Sequence, residues 1–119
     1  MVFKGNIEKL TLDNNYYRKV LDTNKKMQLV LMSLDIDEEI GEEVHKTISQ
    51  FIRVEKGTAT AIIKGKRYYL KDGDSLIVPP NTKHNIINRG EGQLKLYTIY
   101  TPPKHSKNCV QKFKADEEC

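Results

Sequence analysis

The segment Gly73–Asn88, GDSLIVPPNTKHNIIN, decides how the rest of the chain is read. An apolar-rich run from Ser75 to Val78 stops at Pro79-Pro80-Asn81, and a second run starts at His84. Proline fixes turn geometry, and asparagine tolerates the left-handed backbone that tight turns need. Two strands joined by a rigid turn are expected, with His84 opening the second. Alternate residues of a strand share a face, so Ile86 and Asn88 lie on the side of His84.

The same rhythm extends outward in both directions. Strand-like runs are Ile7 to Leu12, Tyr16 to Leu21, Met27 to Leu34, Phe51 to Val54, Ala59 to Ile63, Arg67 to Leu70, Asn85 to Asn88 and Leu94 to Thr101. Glycine, asparagine and aspartate separate them, as in Lys64-Gly65-Lys66 and Lys71-Asp72-Gly73-Asp74. No segment of helical length carries a 3.6-residue period. Short strands at regular spacing imply an all-β sandwich or barrel. The runs between Phe51 and Val78 have very short connections, which predicts an antiparallel meander. Phe51 and Ile99 are read as core, and Lys112 to Glu118 as at most one helical turn.

At 119 residues the chain is expected to form one domain, 1–119, with a barrel core of about 27–101 and a tail of 102–119. Its hydrophobic content of 38% and charged content of 30% fit a soluble globular protein. The net charge of +4 comes from scattered lysines rather than a basic stripe, which argues against nucleic acid. No apolar run reaches the ~20 residues of a membrane helix, so no membrane partner is expected. The start, Met-Val-Phe-Lys-Gly-Asn, lacks the pattern of a signal peptide. Cys109 and Cys119 lie together near the C-terminus without C-x-x-C spacing, consistent with a cytoplasmic protein and a structural role.

A second segment, Gly41–Gly57, GEEVHKTISQFIRVEKG, carries polar groups suited to coordination. Glu43 and His45 share a strand face, and Gln50 lies beyond a turn at Lys46 to Ser49. A carboxylate, two imidazoles and an amide converging in a small barrel could hold Zn, Fe, Mn, Ni or Cu. Glu43 and Gln50 also have ordinary readings, as a solvated acid and a strand-edge amide. His105 follows Pro102-Pro103 in a lysine-rich tail and is expected at the surface.

These two segments resemble the paired motifs of the cupin superfamily. The second, G-x5-P-x-G-x2-H-x3-N, is matched at Gly73, Pro79, His84 and Asn88, with Asn81 in place of a glycine. The first, H-x-H-x3-4-E-x6-G, is matched more loosely, with Glu43 at the first histidine, His45 at the second, Gln50 at the glutamate, and Gly57 in register. The chain is similar to small stand-alone bacterial cupins, RmlC-like, some of which are likened to the cupin part of phosphomannose isomerases. The resemblance implies a single-domain double-stranded β-helix (jelly roll) and one divalent metal on His84, His45, Gln50 and Glu43.

It further implies a small-molecule ligand in the barrel and a homodimer formed through edge strands, for which Ile7 to Leu12 is the candidate. As an enzyme, the protein would be of isomerase or epimerase type acting on a sugar or sugar phosphate. Glu43, if not coordinated, would be general base, and Tyr97 (or Tyr100, on the opposite face) the proton donor. Lys46 and Lys83 could attract an anion. A non-catalytic ligand-binding or sensory cupin and an Fe(II)-type dioxygenase remain open, because one fold hosts many chemistries.

Overall fold

In the computed structural model, which describes residues 2–116, one short helix precedes nine strands. They are α1 (Ile7–Asp13), β1 (Arg18–Thr23), β2 (Gln28–Leu34), β3 (Ser49–Lys56), β4 (Ala59–Ile63), β5 (Lys66–Leu70), β6 (Ser75–Val78), β7 (His84–Ile87), β8 (Leu94–Thr101) and β9 (Val110–Gln111). A larger sheet has the order β6-β3-β8-β2-β1-β9 and a smaller one β5-β4-β7, all pairs antiparallel. The two sheets face each other as an all-β jelly roll.

The helix corrects the expected strand at Ile7 to Leu12. Asn6 caps it, its side chain accepting the Lys9 backbone N–H at 3.0 Å. At seven residues it is too short for a 3.6 period to declare itself. It lies on the outer face of the larger sheet, where Lys95 holds its end. The buried Lys95 ammonium donates to the Leu12 and Asn14 carbonyls, both at 2.8 Å, and to Asn15 Oδ1 at 3.0 Å. The edge strand expected to carry a dimer contact is thus a helix against β8, β3 and β2.

The meander is also corrected. Only β4 and β5 pair across their short connection, while β3 pairs with β6 and β8, and β4 with β5 and β7. The connections β3–β4 and β5–β6 are corners that carry the chain from one sheet to the other. Gly57 makes the first corner at φ 94°, and a Cβ there would stand 2.7 Å from the Gln93 carbonyl oxygen. The second corner is tied back by Val54 N–H to Asp74 O (3.0 Å) and Gly73 N–H to Val54 O (2.8 Å).

Between the sheets the inward residues change character along each strand. Toward one end Met32, Leu34, Ile52, Val54, Leu94 and Leu96 are fully buried apolar side chains. Toward the other the register aligns Gln28, Tyr100 and Gln50 in one row across β2, β8 and β3. Phe51 and Ile99, read as core, are directly opposed but only half-buried, because their parity places them on the outer face.

The tail returns rather than trailing away. β9 pairs with Arg18 and Lys19 of β1, and no helical turn forms at 112–116. Cys109 is buried and disulfide-bonded, and Cys119 lies outside the described residues.

Gly57→Ala is expected to cost roughly 1–3 kcal/mol, the scale of a strained backbone site. Gly65 also has a positive φ, 80°, but open space at the Cβ position, so Gly65→Ala should cost less. Urea unfolding of both variants checks this; equal losses would mean that the close approach to Gln93 is not felt.

Candidate metal centre

The loop before β3 and the turn before β7 are joined by backbone. Glu43 N–H donates to His84 O at 2.9 Å, and His84 N–H to Glu43 O at 3.0 Å, an isolated antiparallel bridge. Asn81, at φ 58°, donates its N–H to the His45 carbonyl at 2.7 Å. The asparagine that replaces the motif glycine therefore adopts the left-handed turn and helps align the histidine.

These ties bring three candidate donors together. The ligand atoms of Glu43, His45 and His84 lie within 4.8 Å of one another. The imidazole centroids of His45 and His84 are 5.2 Å apart, and His45 Nε2 is 3.9 Å from Glu43 Oε2. His84 Nδ1 lies 2.8 Å from the Thr82 carbonyl, which can only accept, so Nδ1 donates there and Nε2 is the ring nitrogen left facing the cluster. A ligating histidine commonly has its second nitrogen held by a carbonyl in this way. His45 Nε2 and His84 Nε2 are buried and without hydrogen-bond partners.

Gln50 is 3% exposed, and its Nε2 donates to Thr98 Oγ1 at 3.0 Å. Its Oε1 is buried without a hydrogen-bond partner, leaving an amide oxygen available in the same polar half of the barrel. Burial, then the neighbouring His84 and Lys104, lower the His45 pKa to about 4, so the ring is neutral at neutral pH, as a ligand must be.

Tyr97 stands apart from this group. It is half-buried, with its ring 6.1 Å from Phe51 on the outer face. The tyrosine beside the histidines is Tyr100, buried and 6.1 Å from the His45 ring. Lys83 reaches Glu42 at 3.6 Å, on the exposed side of the bridge.

His105 is a correction. It is 6% exposed, and its ring is 5.3 Å from Tyr100. The buried Gln28 side chain pins its backbone, accepting the His105 N–H at 2.9 Å and donating to the His105 carbonyl at 2.7 Å. Burial, then Arg18, Lys104 and His45, push its pKa down to about 3. The local sequence, proline-broken and basic, carries no sign of this return; only the distant amide of Gln28 does.

The cupin domain family matches residues 30–100 of the chain. The chain is 41% identical over 120 residues to the uncharacterized protein YrkC of Bacillus subtilis (strain 168), an alignment covering 96% of this chain and 64% of YrkC. It thus spans less than two thirds of YrkC. It is 45% identical over 108 residues to the uncharacterized protein L612 of Acanthamoeba polyphaga mimivirus, covering 87% of this chain and 68% of that protein. A crystal structure of BH2720 from Bacillus halodurans superposes with a TM-score of 0.93 at 36% identity, over 95% of this chain and 90% of that one.

Two buried histidines held neutral make stability depend on pH. Between their folded values, about 4 and about 3, and the ordinary 6.5, the unfolded chain binds more protons than the folded one. Stability is then complete above pH 6.5 and is lost as the pH falls through that window. In metal-free protein the melting temperature should fall on acidification from pH 7 to 4, and His105→Phe should shallow the slope. An unchanged slope in the variant would mean that His105 is not buried neutral.

Proposed function

The chain belongs to the cupin family, and from that premise we propose that it is a metal-dependent cupin acting on a small polar ligand. His45, His84 and Glu43 would hold one divalent ion, with Gln50 Oε1 as the fourth donor. The observation that carries this is that His45 Nε2, His84 Nε2 and Gln50 Oε1 are among the buried nitrogen and oxygen atoms with no hydrogen-bond partner. Leaving three such atoms unpaired is costly, and a cation would meet their lone pairs together. Mixed nitrogen and oxygen donors suit Zn, Fe, Mn, Ni or Cu.

The reaction we assign is of isomerase or epimerase type, on a sugar or sugar phosphate. The bound metal would act as a Lewis acid on a ligand carbonyl or hydroxyl. Glu43, whose side chain is 26% exposed, faces the ligand space and is the candidate base whenever it is not itself a ligand. Tyr100 takes the donor role assigned from sequence to Tyr97, because its ring borders both His45 and His105.

Elemental analysis of protein purified without added metal should find about one divalent ion per chain. His45→Ala and His84→Ala should each lose most of it, and Gln50→Ala should weaken affinity about tenfold, the scale seen when a supporting group is removed. Tyr97→Phe should leave metal content unchanged. Wild-type protein without stoichiometric metal, or a His45→Ala/His84→Ala protein that keeps it, would overturn the assignment. Deuterium uptake from D2O at the carbon beside the carbonyl of an aldose phosphate separates the enzyme from a receptor, which would bind without exchange.

A further inference from the structure

Among the described residues, Arg18 has no carboxylate in ion-pair contact. It opens β1, opposite Met32 of β2 and Gln111 of β9, and is 3% exposed. Its Nη1 donates to Gln111 Oε1, and its guanidinium carbon is 5.2 Å from the Tyr17 ring centroid. Its Nε is buried without a hydrogen-bond partner. An arginine cannot escape burial by losing its proton, and a charge out of water is costly unless an opposite charge compensates it.

A cavity of about 350 Å³ adjoins this guanidinium, lined by Tyr17, Arg18, Gly41, Glu43, Gln111 and Lys114 among others. That size lies at the small end of ligand pockets, roughly 300–1,000 Å³. Gly41, at φ 107°, leaves one wall bare, since a Cβ there would meet nothing within 4 Å. The lining also holds the carboxylates of Glu42, Glu43 and Asp116 and the ammonium of Lys114, each with a contact of its own. Glu42 reaches Lys83 at 3.6 Å, Asp116 Oδ2 accepts the Phe113 N–H at 2.9 Å, and Lys114 donates to the Glu39 carbonyl. Glu43 forms both a wall of this cavity and a corner of the imidazole cluster.

We infer that Arg18 is the anchor for an anionic group, and that the cavity takes the carboxylate or phosphate end of a small ligand whose remainder extends toward Glu43. A planar guanidinium suits both anions through paired N–H donors. The inference deepens the metal-site reading by naming the charge of its ligand. It fails separately from that reading, because Arg18 is not among the metal donors.

The test is calorimetric titration of the full chain, metal-free and metal-loaded, with malonate, inorganic phosphate and uncharged glucose. Malonate or phosphate should bind the metal-free protein and glucose should not; which anion binds identifies the source of the negative group. Arg18→Gln should weaken anion binding at least tenfold with metal content unchanged, and Arg18→Lys should retain part of it. Gln111→Glu guards against simple misfolding: it gives the guanidinium a carboxylate from within the chain, and should raise the melting temperature while abolishing anion binding. Anion affinity unchanged in a folded Arg18→Gln or Gln111→Glu protein overturns the inference, as does a wild-type protein that binds neither anion. Anion binding in a protein that holds no metal leaves the inference standing and removes the metal reading alone.

Discussion

Glu43 and His84 exchange both of their backbone hydrogen bonds outside any named strand pairing, and the polar half of the interior depends on that exchange. Directly opposed residues of an antiparallel pair project to the same side, so the bridge aims a carboxylate and an imidazole at one point. Two residues further on from Glu43, His45 keeps the same parity. A slip of one residue would turn these side chains outward together, because the side-chain period of an extended chain is two. Each such bond contributes only about 1 kcal/mol net. Their weight lies in geometry, since they set the register that a metal would require.

The interior combines two kinds of packing on the same strands. β2 runs from Gln28 through Val30 and Met32 to Leu34, β3 from Gln50 to Ile52 and Val54, and β8 from Leu94 and Leu96 to Thr98 and Tyr100. One end is a dry apolar core, stabilised by burial at about 25 cal/mol per Å². The opposite end collects His45, His84, His105, Gln28 and Gln50, all buried, whereas Arg18, also buried, opens β1 at the level of Met32. Gln28 is satisfied from several directions and ties the returning tail to β2. His45 Nε2, His84 Nε2 and both His105 ring nitrogens are buried there without a hydrogen-bond partner, and on these atoms the proposed ligand reading rests.

Much of the fold is legible in the sequence. The runs Ala59 to Ile63, Ser75 to Val78 and Leu94 to Thr101 are strands with the same bounds, because turn residues and apolar runs there agree. What is not legible is the non-local part. Gly57-Thr58 reads like a hairpin, but the packing of Gly57 against Gln93 makes it a corner between sheets. Tyr97 and Tyr100 cannot be ranked by spacing, since only pairing Gln50 with Tyr100 settles which of them faces inward. Glu43, His45 and His84 could be singled out because each sits inside a local motif, and the structure does bring them together. Arg18 and His105 sit in no motif. Their burial depends on a tail that returns from the far end of the chain to meet β1 and Gln28.

The division of β2, β3 and β8 into an apolar half and a polar half bears on how such a protein changes over generations. Side chains that decide what the interior binds are separated along the strand from those that decide whether the chain folds. Substitutions distant from one another and without shared partners act nearly independently on stability. On that ground an exchange of His105, which lies on another segment, would leave Met32, Ile52 and Leu96 to keep the barrel closed. The architecture is in this sense a stable chassis with a replaceable end, and its descendants are free to diverge in chemistry long before they diverge in shape.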